Sequence, residues 1–269
     1  MTVLGVFVKN DKLGSPRMTL ILQGPPCSYG KCTFCPFAVE QSIHVKDIIR
    51  TNKAILQDAR KLIKDKGIDP ERISIFNGGS LTELPLETIH ELSTLTKGKI
   101  VDVELIPTLI KPDLLFSIKN ILGSKLLVVR TGFEVFDENI RFKLGKEFPN
   151  ELLYYIHDNL KRLHSMGIKV ISYVLFGIDG VVEDKVRESV EKFKELLDGV
   201  ICVRYRRYGP HMPRETTVSA SLKNYLDNQC MLVDWTDNEE WVFQKRYRKT
   251  EKQVTISRPA KPLGQRRAT

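Results

Sequence analysis

Apolar and polar residues alternate along this chain in two different periods. Short apolar runs recur at Thr19–Gln23, Ile73–Asn77, Ile100–Ile106, Leu126–Phe133, Val170–Phe176 and Val200–Tyr205, and they read as strands. Amphipathic stretches lie between them near Lys46–Lys66, Leu86–Leu95, Pro112–Ile121, Asn150–Met166 and Glu183–Leu197, with a last one at Val218–Asp227. These read as helices, opened by start signals such as Pro112 and Pro149-Asn150 and closed by glycines such as Gly67, Gly98, Gly123, Gly167 and Gly199. Alternating strand–helix units imply parallel strands joined by right-handed crossovers. Six units are too few to close an eight-stranded barrel, so the predicted fold is α/β, a partial (β/α)6 barrel. Its functional face is expected at the C-terminal ends of the strands, where the βα loops converge.

The same pattern sets the expected boundaries. Residues 1–17 form a lead-in, with a strand candidate at Val3–Val8 and a turn-rich stretch from Asn10 to Pro16. Residues 18–217 form the barrel. Residues 218–243 hold the last helix and an apolar, aromatic cap built from Cys230–Trp235 and Trp241–Phe243. Residues 244–269 mix Lys, Arg, Pro and Gln with little hydrophobicity, a composition expected to stay disordered when free. A length of 269 residues with 42% hydrophobic content is ample for one full core. No apolar run reaches the length of a membrane span and the N-terminus carries no signal segment, which predicts a cytoplasmic protein without membrane contact.

The formal charge of +9 changes the picture only once it is located. From Gln244 onward nine Lys or Arg stand against Glu251 alone, leaving 33 basic and 32 acidic residues in the rest of the chain. The body is nearly neutral and the tail is basic.

Candidate chemistry concentrates directly after the first strand, in Gly24-Pro-Pro-Cys27-Ser-Tyr-Gly-Lys-Cys32-Thr-Phe34-Cys35-Pro36. Three of the five cysteines fall there, spaced Cys-x4-Cys-x2-Cys. A zinc knot would need a fourth ligand, and Cys202, Cys230 and His44 make no second paired unit at zinc spacing. A disulfide with a spare thiol fits poorly with a reducing compartment. Three thiolates on one short loop can instead converge on a single inorganic centre, and a four-iron cluster held by three thiolates leaves one iron open to an outside ligand.

On these residues the chain resembles the radical S-adenosylmethionine (SAM) superfamily. Its signature is a three-cysteine loop after the first barrel strand, with an aromatic residue, here Phe34, before the last cysteine. The first gap here is one residue longer than in the commonest form. The resemblance implies that Cys27, Cys32 and Cys35 hold a [4Fe-4S] cluster whose open iron is chelated by SAM, with Phe34 along the adenine. It also implies reductive cleavage of SAM to methionine and a 5′-deoxyadenosyl radical, fed by an electron donor of the flavodoxin or ferredoxin type. Where the superfamily has a Gly-Gly-Glu segment that binds the SAM amino group, this chain has Gly78-Gly79-Ser80, so that contact falls to backbone or to Ser80. Glu104, an acid in an otherwise apolar strand, is a candidate for the SAM ribose or for substrate if it points inward, and a solvent-facing residue if not. The order Thr131-Gly132-Phe133-Glu134 followed by Lys146 resembles the methylthiotransferases and Elp3-like proteins, which implies Glu134 on the SAM ribose and Lys146 on its carboxylate. Gly177, Ile178 and Gly180 stand where the superfamily lays backbone against adenine.

The last predicted strand alternates Arg204, Tyr205, Arg206, Arg207 and Tyr208. Guanidinium groups pair with phosphate or carboxylate and tyrosines stack on bases, so this segment is a substrate candidate; a charged edge strand is the alternative. Over residues 18–210 the motif order looks most like the Elp3-like branch and the radical SAM subunit of archaeosine synthase, both of which act on tRNA. The leading expectation is therefore modification of a tRNA nucleoside, with the basic tail tracking phosphates and a partner protein presenting the RNA. The alternatives are radical chemistry on a phosphorylated or carboxylated metabolite, and a non-catalytic iron–sulfur protein that binds nucleic acid.

Overall fold

Eight strands form one sheet whose spatial order is the chain order. They are β1 (Gly5–Asn10), β2 (Pro16–Ile21), β3 (Arg72–Phe76), β4 (Ile100–Glu104), β5 (Leu126–Glu134), β6 (Ile168–Phe176), β7 (Val200–Arg204) and β8 (Leu232–Asp234). From β2 to β8 every neighbour pairs in parallel, while β1 runs antiparallel along the β2 edge. The computed structural model describes residues 4–10, 16–35, 42–207 and 209–235, all within the unit Met1–Trp235. The sheet curls into the expected partial barrel.

The six predicted strands are β2 to β7, each within a few residues of its expected bounds. The strand candidate of the lead-in, Val3–Val8, is β1, displaced by two residues, and the additional strand is β8, three residues on the open side of β7. Residues 236–243 of the expected cap, and the whole basic tail, lie outside the described residues.

Helices α1 (Val45–Lys66), α2 (Leu86–Thr96), α3 (Pro112–Leu122), α4 (Glu138–Lys143), α5 (Asn150–Asp158), α6 (Leu160–Ser165), α7 (Glu183–Leu196) and α8 (Ala220–Gln229) connect the strands. The long helix expected over Asn150–Met166 is broken at Asn159, whose side-chain amide donates to the Tyr155 carbonyl at 2.9 Å while its own N–H donates to Ile156. Asparagine competes in this way with the regular helix ladder. α4 is too short to show a helical period, and it is started by Asp137, whose carboxylate accepts the Ile140 N–H at 3.1 Å.

Strand residues divide by face. Met18, Leu20, Ile73, Ile75, Val101, Val103, Leu127, Val129 and Val170 are fully buried in one core with Leu56, Leu92, Leu115 and Leu122 of the helices. Each such side chain contributes about 1.5–3 kcal/mol. On the concave face only the lower part is apolar, around Val128, Ile171 and Ile201. The loops at the strands' C-terminal ends therefore open over a face that turns polar toward its rim.

Candidate cofactor site

The cysteine loop leaves β2 under tight control. Leu22 N–H donates to the Phe76 carbonyl at 2.7 Å, and the buried Asn52 of α1 bonds both backbone groups of Gln23. Glu83 then grips the loop beside Cys27, since its Oε1 accepts from the Ser28 N–H at 2.8 Å and from Ser28 Oγ at 2.5 Å. Its Oε2 accepts the Ser80 N–H at 2.9 Å. On the other side Tyr29 donates its hydroxyl to the Gly145 carbonyl at 2.7 Å, accepts from Glu147 N–H at 2.6 Å, and packs its ring on Phe148. Thr33 N–H reaches the Leu144 carbonyl at 3.0 Å. Gly145 has φ +76°, and a Cβ there would lie 2.1 Å from the Lys31 carbonyl oxygen, so the two loops meet where only glycine fits.

Between these grips stands Lys146. Its ammonium lies 3.0 Å from Glu134 Oε1, donates to the Gly132 carbonyl at 3.1 Å, and sits 5.8 Å from the Phe34 ring centroid. Burial pulls its pKa down, but Glu134 and the Cys32 thiol outweigh that and the net shift is upward. Glu134 has φ +66°, the only non-glycine with positive φ among the described residues, at a register shift in β5. Backbone of that kind costs about 1–3 kcal/mol and clusters at functional positions. The fully buried Arg141 of α4 holds this corner, with Nη1 on the Val135 carbonyl and Nη2 on Asn150 Oδ1.

The three thiols share the loop, and Cys35 N–H turns back onto the Cys32 carbonyl at 3.3 Å. Among the described residues no three metal-ligating side chains are already closed together. The donor set nonetheless fits a soft iron centre. Burial pushes the Cys32 thiol up to about 12, with Lys146 acting against it, so a metal at this position must displace a proton.

The remaining sequence candidates divide. Gly78 and Gly79 flank the cysteine loop, and a Cβ on Gly79 would lie 2.2 Å from Glu83 Oε2. Ser80 is buried and its hydroxyl accepts the Ile106 N–H at 3.0 Å, so its oxygen is committed to the β4 exit. Glu104 points to the concave face, where Tyr173 donates to it. Gly177 has φ +74° and its carbonyl takes both the Thr216 N–H and Arg204 Nη1 at 2.5 Å; Ile178 is buried and bridges to Glu215. Gly180 has open space around it.

The arginine–tyrosine segment turns inward on its own loop. Arg204 Nη2 donates to the Thr216 carbonyl at 2.7 Å, the Tyr205 hydroxyl to Pro213, Arg206 to Glu215, and Arg207 to the Gly209, Pro210 and Met212 carbonyls. These donors organise residues 209–216. Replacing Gly177 by alanine would set a Cβ 1.4 Å from Arg204 Nη1 in left-handed backbone, and thermal unfolding of G177A is expected to show a loss of at least about 2–3 kcal/mol.

A family model described as the radical SAM superfamily matches residues 24–193, from the approach to Cys27 through to α7. The chain belongs to the radical SAM superfamily. It is thus an enzyme that works with a [4Fe-4S] cluster and SAM, which sets aside a purely structural cluster. Among solved structures, the radical SAM fold is shared with the queuine lyase from Clostridium spiroforme bound to SAM and queuine, at TM-score 0.62 and 19% identity, covering 85% of this chain and 90% of that one. Coproporphyrinogen III oxidase (HemN) from Escherichia coli gives 0.49 at 12% identity over 76% of this chain and 52% of its own. The methyltransferase TsrM from Kitasatospora setae, with cobalamin and a [4Fe-4S] cluster bound, gives 0.47 at 14% over 72% and 35%. No protein of curated function matches the sequence. No described helix is long and apolar enough to cross a membrane.

One part of this radical SAM site is absent from the sequence expectations. Glu83, three residues after Ser80, sets a carboxylate between the cysteine loop and the β3 exit. Ser80-Leu-Thr-Glu83 has the Ser-x-x-Glu spacing of a helix-start box, and that was the available signal. Because Glu83 closes three hydrogen bonds between the cysteine loop and the β3 exit, E83A is expected to lower iron retention after reconstitution and to cost about 2–3 kcal/mol, read by iron analysis and urea titration; E83Q, which can accept on one side only and turns a donor toward a backbone N–H on the other, should also lose stability.

Proposed function

We propose that this enzyme modifies a tRNA nucleoside by radical chemistry, in the manner of the archaeosine-type and Elp3-like branch that its motif order resembles. When bound, the cluster and SAM supply reductive cleavage to methionine and a 5′-deoxyadenosyl radical that takes a hydrogen from substrate. In this reading Cys27, Cys32 and Cys35 hold the cluster, Lys146 neutralises the SAM carboxylate, and Glu134 and the Phe34 edge line the nucleoside part. The glycines at 78 and 79 let backbone come close, and Gly177, Ile178 and Gly180 border the adenine side.

The observation that carries the reading is the joint packing of the three-cysteine loop against the Lys146–Glu134 pair, clamped from two sides by Glu83 and Tyr29. A base as substrate is supported by the polar rim of the concave face, and by the queuine held in the lyase of the same fold. The +8 carried by residues 244–269 supports an RNA-borne one. A partner protein would present the RNA, and a flavodoxin or ferredoxin would deliver the electron.

The second reading is a small metabolite as substrate. It is favoured by the donors of Arg204, Arg206 and Arg207, which the structure commits to residues 209–216 rather than to an incoming phosphate chain. The deciding experiment is anaerobic reconstitution with iron and sulfide, reduction, addition of SAM, and measurement of 5′-deoxyadenosine with and without bulk tRNA. Stimulation by tRNA, lost together with the salt dependence of binding when residues 244–269 are deleted, supports the first reading. Cleavage indifferent to tRNA selects the second.

A further inference from the structure

The polar part of the concave face is a built layer. Glu104 stands opposite Arg130 in the β4–β5 register, and Tyr173 stands opposite Gly132 in the β5–β6 register. Gly132 is also where the head groups of Lys146 and Glu134 gather, since a Cβ there would lie 2.4 and 2.3 Å from them. Glu104, Arg130 and Tyr173 therefore floor the same space that the Lys146–Glu134 pair borders.

Each member is fixed. The Tyr173 hydroxyl donates to Glu104 Oε1 at 2.6 Å. Burial raises the Tyr173 pKa well above its ordinary value, with Glu104 adding to it, so the phenol keeps the proton it donates. Burial also raises Glu104, against the pull of Tyr173, Arg130 and Lys146. Arg130 lies over the Phe76 ring, with Nη2 3.2 Å from Asp102 Oδ2, and the same oxygen accepts from Ser74 Oγ at 2.6 Å. Arg130 Nε and Asp102 Oδ1 are sealed inside the layer without partners, whereas Glu104 is half-buried and only its Oε1 is taken up, by Tyr173, among the described residues. A guanidinium kept out of water beside a half-buried acid adds nothing to stability that apolar residues would not. A carboxylate with one oxygen open at a cofactor's edge suits a recognition role.

We infer that Glu104, positioned by Tyr173, is the residue that holds the substrate, and that its Oε2 accepts an N–H on the edge of a nucleobase such as guanine. This rests on the nucleoside reading above and assigns Glu104 to substrate rather than to the SAM ribose.

The test uses reconstituted holoenzyme with SAM, as wild type, E104Q and Y173F, and two probes: free guanine by equilibrium binding, and bulk tRNA by the concentration giving half-maximal 5′-deoxyadenosine release. Salt is kept high enough to screen phosphate contacts. The EPR spectrum of the reduced cluster is recorded with and without SAM in each. The expected result is that E104Q weakens whichever probe the wild type accepts by about tenfold or more, and Y173F by a smaller factor, while the SAM-induced change in the EPR spectrum persists in both. Guanine binding identifies a free base; a response to tRNA alone identifies a base in RNA. Loss of the SAM-induced change in E104Q overturns the inference by assigning Glu104 to SAM. Unchanged probe response in E104Q overturns it while leaving the nucleoside reading standing. A wild type that accepts neither probe overturns both.

Discussion

Replacing any one of Cys27, Cys32 and Cys35 by alanine abolishes SAM cleavage and leaves the chain folded. The two halves of this expectation have separate grounds. All three thiols are only partly buried, so their removal takes away little core. The loop's shape is set elsewhere: Glu83 holds Ser28, Tyr29 holds Gly145 and Glu147, and Thr33 holds Leu144. An alanine variant should therefore unfold within about 1 kcal/mol of the parent. A cluster with only two protein thiolates loses its site differentiation or its iron, and 5′-deoxyadenosine falls to background. Circular dichroism, iron content and product release on the same preparation check it. A variant that still cleaves SAM would show that the radical chemistry does not depend on this loop.

Lys146→Met has the second largest effect, and it acts on stability as well as chemistry. The side chains of Lys146 and Glu134 are 12% and 8% exposed at 3.0 Å separation. Removing the cation strands a carboxylate among the Gly132 backbone, the Phe34 ring and the cysteine loop. Breaking a pair of this kind costs about 3–5 kcal/mol, whereas removing both charges together is far milder. K146M should thus lower the urea midpoint of the cluster-free chain markedly, and E134Q/K146M should recover most of the loss. SAM affinity should recover in neither, because the positive charge beside the loop is gone from both. The pair has a pH signature too. Since the net shift of Lys146 is upward, its stabilisation is fully present at neutral pH and is lost as pH climbs through the raised lysine pKa. A K146M chain as stable as its parent would show that the pair is only peripheral.

The sequence carried the parallel strands because their apolar runs are bounded by turn residues, and each of the six lies within a few residues of its expected place. It carried the cysteine loop because three thiols at that spacing have few other uses. What it could not carry depends on contacts between distant segments. β8 has three residues and no periodicity of its own; it exists because β7 offers an edge. Asn159 breaks a run that is amphipathic throughout, through one side-chain bond. Arg204 to Arg207 read as a substrate-binding segment or a charged edge strand, and only the return of residues 209–216 turns their donors into loop supports. Glu83 went unread because its role comes from a contact with Ser28, 55 residues away in sequence.

The identity of spatial and chain order in the sheet has a bearing on how this molecule is made. Each strand from β2 onward docks on the edge left by its predecessor, so no strand waits for a later one to slot in between. The sheet can extend vectorially as the ribosome delivers it, N-terminal part first. The cysteine loop emerges near the start of that sequence, yet its anchors at Leu144, Gly145 and Glu147 arrive more than a hundred residues later. Until then the cysteine loop lacks its second clamp, so its final shape waits for the segment that follows α4.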